Sequence, residues 1–178
     1  MTLARRYVSG RRATQVVRML VRRTPTSIGY DVALAAIRVV VAWIFVYYGA
    51  GKLFGWFNGP GLHRTSILMA ETAHLHPGGF FAVLGGVIEF GGAICVALGL
   101  GSRLAGLALL GDQIMAMVTV TWANGINSLT NHPGYEFNMT LAVLALTIMV
   151  FGAGRLSVDG VLARRFAGVR TARAQVRT

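Results

Sequence analysis

The sequence has few charged residues and almost no cysteine. Asp, Glu, Lys and Arg make up 13% of its 178 residues, and Cys95 is the single cysteine. One cysteine excludes an intramolecular disulfide and a Cys-x-x-C dithiol redox site within the chain. Because Cys95 lies in an apolar run, we interpret it as a small buried side chain.

Hydrophobic residues dominate the remainder. They form 54% of the chain, and the mean hydropathy is +0.60. A soluble domain of this length needs less apolar sequence for its core. We therefore predict an all-α fold, a four-transmembrane-helix bundle with antiparallel neighbours. The predicted spans are 31–54, 80–100, 104–122 and 137–151.

The charge distribution predicts how the chain lies in the membrane. The formal net charge is +11, with seven arginines at or before Arg23 and five from Arg164 onward. Basic ends around an apolar middle are typical of the positive-inside rule and argue against nucleic-acid binding. The turn 101–103 contains one arginine, which agrees with an inner position. We expect a multi-pass protein of the cell membrane with both termini cytoplasmic.

The chain divides into three parts by composition. Residues 1–30 form a basic cytoplasmic segment, 31–160 the transmembrane domain, and 161–178 a basic cytoplasmic tail. Within the first part, residues 13–23 have apolar side chains at helical spacing among arginines. This pattern indicates an amphipathic helix on the membrane surface, with a disordered basic tail as the alternative.

Three charged residues interrupt the predicted spans: Arg38, Glu89 and Asp112. Measured from the inner ends of their spans, they lie at depths of about 10, 16 and 12 Å. We therefore predict one charged layer in which Arg38 offsets both carboxylates, joined by Gln113. Such a layer is either a polar clamp between helices or a functional centre with one carboxyl as a proton carrier.

The second span contains glycines around Glu89, at positions 85, 86, 91 and 92. Small residues allow neighbouring backbones to approach closely, so we expect this helix at the centre of the bundle. The alternative is that they leave space for a flat ligand. Lys52 ends the first span, and either extends to the membrane interface or binds an anion near Glu136 and Asn138.

The four histidines all lie in the predicted connectors, at positions 63, 74, 76 and 132. None is placed to bind a haem within the membrane. His74 and His76, with His63 or Glu71, form only a weak metal-binding pattern. We predict no metal site.

Several motifs occur in a fixed order along the chain. Arg38 is followed by YGAGKL at 48–53, the second span contains E-x-G-G at 89–92, and residues 152–159 read GAGRLSVD. Over about residues 30–160 this set resembles the DoxX family of small four-helix membrane proteins. Ala153 replaces the family's usual proline. Besides Arg38 and Glu89, the residues that match its motifs are Lys52, Gly91, Gly92, Arg155, Ser157 and Asp159.

The resemblance implies a link to membrane redox chemistry. DoxX proteins are associated with quinol oxidase and thiosulfate:quinone oxidoreductase systems. The expected function is thus a redox-associated subunit or a quinone- or quinol-interacting membrane component. The expected ligand is a quinone, with no covalently bound cofactor. The expected partners are the lipid bilayer and either other membrane redox proteins or further copies of the chain.

Two other functions stay open. A non-catalytic anchor or scaffold for a partner enzyme would be a well-packed bundle without a sizeable cavity. A small transporter or proton pathway would have a polar route through the charged layer. The sequence leaves open whether the protein is an enzyme.

Overall fold

The computed structural model describes residues 28–127 and 133–162, and helices account for most of them. Neither range contains a strand, so the all-α prediction is confirmed for this part of the chain. The surface helix expected at 13–23 and the basic tail lie outside the described residues. The helices are α1 (Ile28–Phe54), α2 (Gly61–Glu71), α3 (Gly78–Leu98), α4 (Ser102–Ala116) and α5 (Glu136–Phe151).

Short non-α turns follow two of these helices. A π-helical turn, Met117–Thr121, and a 3-10 turn, Trp122–Asn124, continue α4 without a break. Another 3-10 turn, Trp56–Asn58, follows α1. A π turn holds one extra residue, so it changes which side chains of α4 face its neighbours.

Three helices are long and apolar enough to cross a membrane: Ile28–Phe54, Gly78–Leu98 and Ser102–Asn124. They correspond to the first three predicted spans. Helix α5 is apolar but has 16 residues. Its length is therefore about 24 Å, less than the roughly 30 Å of a hydrocarbon core. The fourth crossing stays a prediction.

The ends of these helices lie on two opposite sides of the bundle, which we call the terminal end and the loop end. At the terminal end, α1 and α4 begin and α3 and α5 end; at the loop end, α1 and α4 finish and α3 and α5 begin. At the terminal end α3 turns tightly into α4 through Gly99 and Gly101, whose φ angles are +70° and +56°. Glycine adopts this left-handed conformation without steric cost. The antiparallel hairpin expected here is present.

The core lies where α1, α3, α4 and α5 meet. Its buried side chains are Val41, Ala42, Phe45, Ala93, Val96, Ala105, Leu109, Leu141, Ala145 and Ile148. Small residues bring the helices close: a Cβ at Gly106 would lie 2.8 Å from the backbone nitrogen of Met149, across α4 and α5. Cys95 packs against this core and is half-buried, in agreement with its interpretation as a small apolar side chain.

Large apolar side chains cover the outward faces of the helices. Trp43 is 74% exposed, Val39 66% and Leu104 64%. Soluble proteins rarely expose contiguous apolar surface of this kind. Apolar faces directed away from a packed core are what a helix in contact with lipid requires, so the chain is a membrane protein in which these faces contact lipid.

The contact between α1 and α3 depends on a glycine where the two backbones come closest. A Cβ at Gly49 would lie 2.5 Å from the backbone nitrogen of Phe90, whereas one at Gly91 would meet nothing within 4 Å. We expect Gly49→Ala to cost about 1–3 kcal/mol of stability because α1 must move away from α3. Gly91→Ala, the matched control, should cost nothing. Denaturation in detergent measures both, and equal effects would contradict this packing.

Candidate functional site

Arg38 binds backbone carbonyls at the terminal end. Its side chain is buried, with 4% of the residue exposed. The guanidinium donates hydrogen bonds to four carbonyl oxygens, at 2.8–2.9 Å: those of Val96, Ala97, Ala153 and Leu156. The last carbonyls of a helix have no partner within it and carry its negative dipole end. Arg38 therefore closes the end of α3 and holds the segment after α5 against it.

The prediction that Arg38 shares one layer with Glu89 and Asp112 is wrong. The physical reason is side-chain direction, since every Cβ in a helix tilts toward the helix N-terminus. Helix α1 begins at the terminal end, so Arg38 is directed there. Helix α3 begins at the loop end, so Glu89 is directed the opposite way. Asp112 is directed toward the terminal end like Arg38, since α4 also begins there, but its short carboxylate is bonded by Gln113 while backbone carbonyls bind the Arg38 guanidinium.

The motif at 152–159 also forms structure at the terminal end. The Asp159 carboxylate accepts hydrogen bonds from the backbone N–H groups of Gly101 (3.0 Å) and Ser102 (3.3 Å), and so caps α4. The Ser157 hydroxyl donates to the Gly154 carbonyl at 2.7 Å. We name Asp31, Arg38, Arg155, Ser157 and Asp159 the terminal clamp.

Asp31 joins the clamp from the first turn of α1. Its carboxylate accepts a hydrogen bond of 2.9 Å from the backbone N–H of Arg155, and the Arg155 side chain lies 3.9 Å from its other oxygen. The Arg155 side chain is 66% exposed, so the backbone contact carries most of this link. The clamp residues are thus occupied in joining the two ends of the described chain.

Lys52 forms an ion pair with Glu89, which neither reading of Lys52 from the sequence included. Its Nζ lies 2.7 Å from Glu89 Oε1. The Lys52 side chain is 23% exposed and that of Glu89 is 4% exposed. Because α1 and α3 are antiparallel, the backward tilt of their side chains brings this pair together.

Amide side chains continue from Asp112 toward the loop end. Gln113 Nε2 donates to Asp112 Oδ2 at 3.0 Å, and Gln113 Oε1 accepts from Asn138 Nδ2 at 3.0 Å. Thr121, at the end of the π turn, donates to Asn138 Oδ1 at 3.3 Å. The chain runs from α4 to α5, and Gln113 is part of it as predicted. We name Lys52, Glu89, Asp112, Gln113 and Asn138 the polar cluster.

The two carboxyl groups of the polar cluster lie beside each other. The charges of Glu89 and Asp112 act on each other, and Lys52 acts on both. Glu89 Oε2 is buried and has no donor partner among the described residues. Asp112 Oδ1 lies next to Gly85, one turn before Glu89 on the same face of α3. A Cβ at Gly85 would lie 3.5 Å from Asp112 Oδ1, so this carboxylate packs directly against α3.

The other glycines of α3 mostly serve packing. A Cβ at Gly86 would lie 2.6 Å from the Leu53 side chain, and one at Gly92 would lie 3.2 Å from Leu109. Space at Gly91 is open. The packing interpretation therefore fits Gly86 and Gly92, although this geometry does not assign a role to Gly91.

An open cleft of about 530 Å³ leads to the polar cluster at the loop end. Its volume is in the range of small-molecule sites. Asn138 lines the cleft and also bonds Gln113, so the cluster begins at the cleft wall. Tyr48 and Phe137 form an aromatic part of the lining, with ring centroids 5.8 Å apart. The lining residues are Tyr48, Pro133, Gly134, Glu136, Phe137, Asn138 and Thr140.

Apolar side chains separate the polar cluster from the terminal clamp. Val41, Phe45, Val96, Leu109 and Ile148 have 0–1% exposure and lie between the two groups. Arg38 and Lys52 are 14 positions apart on α1, or about 21 Å along the helix. The described residues therefore contain two polar groups, one at each end, with a dry core between them.

Metal-binding residues do not gather in the part of the chain that the structure describes. Residues 28–127 and 133–162 contain no group of three or more His, Cys, Asp or Glu that could hold a metal ion. His63, His74 and His76 lie exposed at the loop end, and His132 falls outside the described residues. The absence of a metal site stays a prediction.

The fold and the buried charges define a class, the small polytopic helical membrane proteins. The chain has membrane-length helices, a helix contact at glycine and charged residues inside its core. Residues 33–122 match the model of the DoxX family, and the chain belongs to this family. The match contains Arg38, Lys52, Glu89 and Asp112, and it ends before α5 and the motif at 152–159. No curated protein and no solved structure is similar enough to the chain to be matched.

Proposed function

We propose that the protein is a quinone- or quinol-interacting membrane component that works beside a redox partner. The observation that carries this proposal is the cleft whose wall residue Asn138 begins a continuous polar chain to two buried carboxyl groups. A lipid-soluble ligand with a flat polar head needs both an apolar approach and polar atoms inside. The exposed apolar faces and the polar cluster supply these two requirements.

The residues of the cleft fit a quinone ring. Tyr48 and Phe137, whose tilted rings pack on each other, would together contact one face or the edge of the ring. Asn138 would bind a ring oxygen through its amide. A bound quinone supplies two-electron, two-proton chemistry, and we assign the electron transfer to the redox partner. The role of this chain is to bind the ring and to hold an exchangeable proton at the Glu89–Asp112 pair.

The proposed membrane arrangement has four crossings with both termini cytoplasmic. Helix α5 packs along α4, where Gly106 meets Met149, so it occupies the same layer as a spanning helix. Its short length fits a locally thin bilayer or the continuation of the span into its flanks. The loop end, with the cleft, then faces the outer side of the cell membrane.

A non-catalytic scaffold is the second candidate, because most of the terminal clamp serves structure. Arg38 and Asp159 join helix ends to each other, the Arg155 backbone is bonded to Asp31, and Ser157 holds its own turn. A proton pathway through the protein is less favoured, since the dry core interrupts any polar route between the two ends in the described residues.

Quinone binding to the purified protein in detergent tests the proposal. We expect saturable binding of a short-chain quinone, measured by calorimetry, and about tenfold weaker binding by Asn138→Ala because one hydrogen bond is lost. Thr147→Ala is the matched control: Thr147 lies on the same helix, and among the described residues its hydroxyl bonds only the Val143 carbonyl of its own helix. Its affinity should equal that of the wild type.

Two outcomes would reject quinone binding at this cleft: no saturable binding, or equal weakening by both variants. Gentle purification followed by mass spectrometry then tests the scaffold. A stable complex with a partner enzyme, formed equally well by Asn138→Ala, would favour that second function.

A further inference from the structure

Each carboxyl group, that of Glu89 and that of Asp112, has one oxygen with a hydrogen-bond donor and one without. Glu89 Oε1 accepts from Lys52, and Asp112 Oδ2 accepts from Gln113. The remaining oxygen of each carboxyl group has no donor among the described residues, and Glu89 Oε2 is fully buried. A buried carboxylate oxygen without a donor is costly, because it has lost water and gained nothing.

The charges of the polar cluster also do not balance. One lysine faces two carboxyl groups, so the three residues carry one uncompensated negative charge if all are ionised. The cation that acts on the pair is Lys52, and Tyr48 of α1 is an ionisable neighbour of Lys52. Helix α5 contributes an uncharged amide, Asn138. One additional proton would both neutralise the group and supply the missing donor.

We infer that Glu89 and Asp112 hold a single shared proton between their facing oxygens, and that this site exchanges protons with the loop end alone. Lys52 and Gln113 fix the outer oxygens and so orient the pair. The partly exposed Lys52 and the cleft at Asn138 connect the site to the loop end. Toward the terminal end, Val96 and Leu109 are completely buried and apolar. The inference does not require a quinone.

Infrared spectroscopy of the purified protein tests the shared proton directly. At neutral pH we expect the C=O stretching band of a protonated carboxyl group in the wild type. Both Glu89→Gln and Asp112→Asn should lose the band, because the carboxylate that remains is balanced by Lys52. The two variants are isosteric, and circular dichroism checks that each is folded.

Asp31→Asn is the matched control, since Asp31 is equally buried, at 5% exposure against 3% for Glu89, but has a backbone donor. This variant should retain the band. A wild type without the band, or a band that both cluster variants retain, would overturn the inference. Because no quinone is present, failure here leaves the binding test of the cleft unaffected, and failure of that test leaves the proton site intact.

A pH difference across proteoliposomes of one orientation tests the sidedness. The band should weaken when only the loop side is made alkaline and stay unchanged when only the terminal side is made alkaline. Equal loss of the band from the terminal side would overturn the one-sided part of the inference. Wild-type liposomes should also show no protein-dependent proton leak.

Discussion

Arg38→Met is expected to lower the free energy of unfolding by about 3–5 kcal/mol, the range for breaking a buried charged interaction. The substitution keeps an unbranched side chain of similar length but removes every donor. The carbonyl oxygens of Ala97, Ala153 and Leu156 then lose their Arg38 donor, whereas that of Val96 keeps the backbone N–H of Gly99 at 3.1 Å. Each unsatisfied buried acceptor costs about 1–3 kcal/mol, partly recovered where water can enter.

Denaturant titration in detergent measures this loss, and Arg155→Met is the matched control. Arg155 belongs to the same clamp, but its side chain is 66% exposed, and its link to Asp31 uses the backbone N–H. We expect that variant to lose about 1 kcal/mol or less. Arg38→Lys should fall between the two, since lysine has three donors and no planar fork. A stable Arg38→Met protein would contradict a structural role for Arg38.

The sequence was sufficient to predict the three membrane-length helices and to select the charged residues buried inside them. Long apolar runs with few interruptions predicted the three membrane-length helices, because length and hydropathy alone determine that property. Arg38, Glu89 and Asp112 were selected because a charge in an apolar helix must be compensated. All three are buried in the structure.

The pairing of these charges could not be predicted from depth alone. Arg38, Glu89 and Lys52 each have a side chain long enough to reach several levels of the bundle. Direction along the helix therefore decides their partners, and direction depends on which helices are antiparallel neighbours. With α1 packed against α3, Lys52 and Glu89 converge while Arg38 and Glu89 diverge.

The contribution of α5 was also beyond the sequence. Asn138 had been considered only as a neighbour of Lys52, and nothing local indicated that it would bond Gln113. That contact depends on how α5 packs on α4. The same holds for Asp159, whose motif was recognised from the sequence. Its role as a cap of α4 is visible only in the tertiary structure, because the N–H groups it binds are 57 and 58 positions away in the chain.

Removal of Lys52 and Glu89, singly and together, should show that the polar cluster acts as one unit. Lys52→Met leaves two buried carboxyl groups without a cation, and we expect a loss of about 3 kcal/mol or more in stability. Glu89→Gln should cost less, because the Asp112 carboxylate remains to balance Lys52. Both single variants keep the approximate volume of the side chain, so packing changes contribute little.

The double variant, Lys52→Met with Glu89→Gln, tests the coupling. It retains one carboxyl group and no cation, so the cost should be smaller than the sum of the single costs by about 1–3 kcal/mol. Helix α1 is held to α3 at Gly49 in every variant, so the contact of these two helices is unchanged. Denaturation of all four proteins under one condition gives the coupling energy. Costs that add to within about 0.5 kcal/mol would mean that the 2.7 Å ion pair contributes no more than two independent residues do.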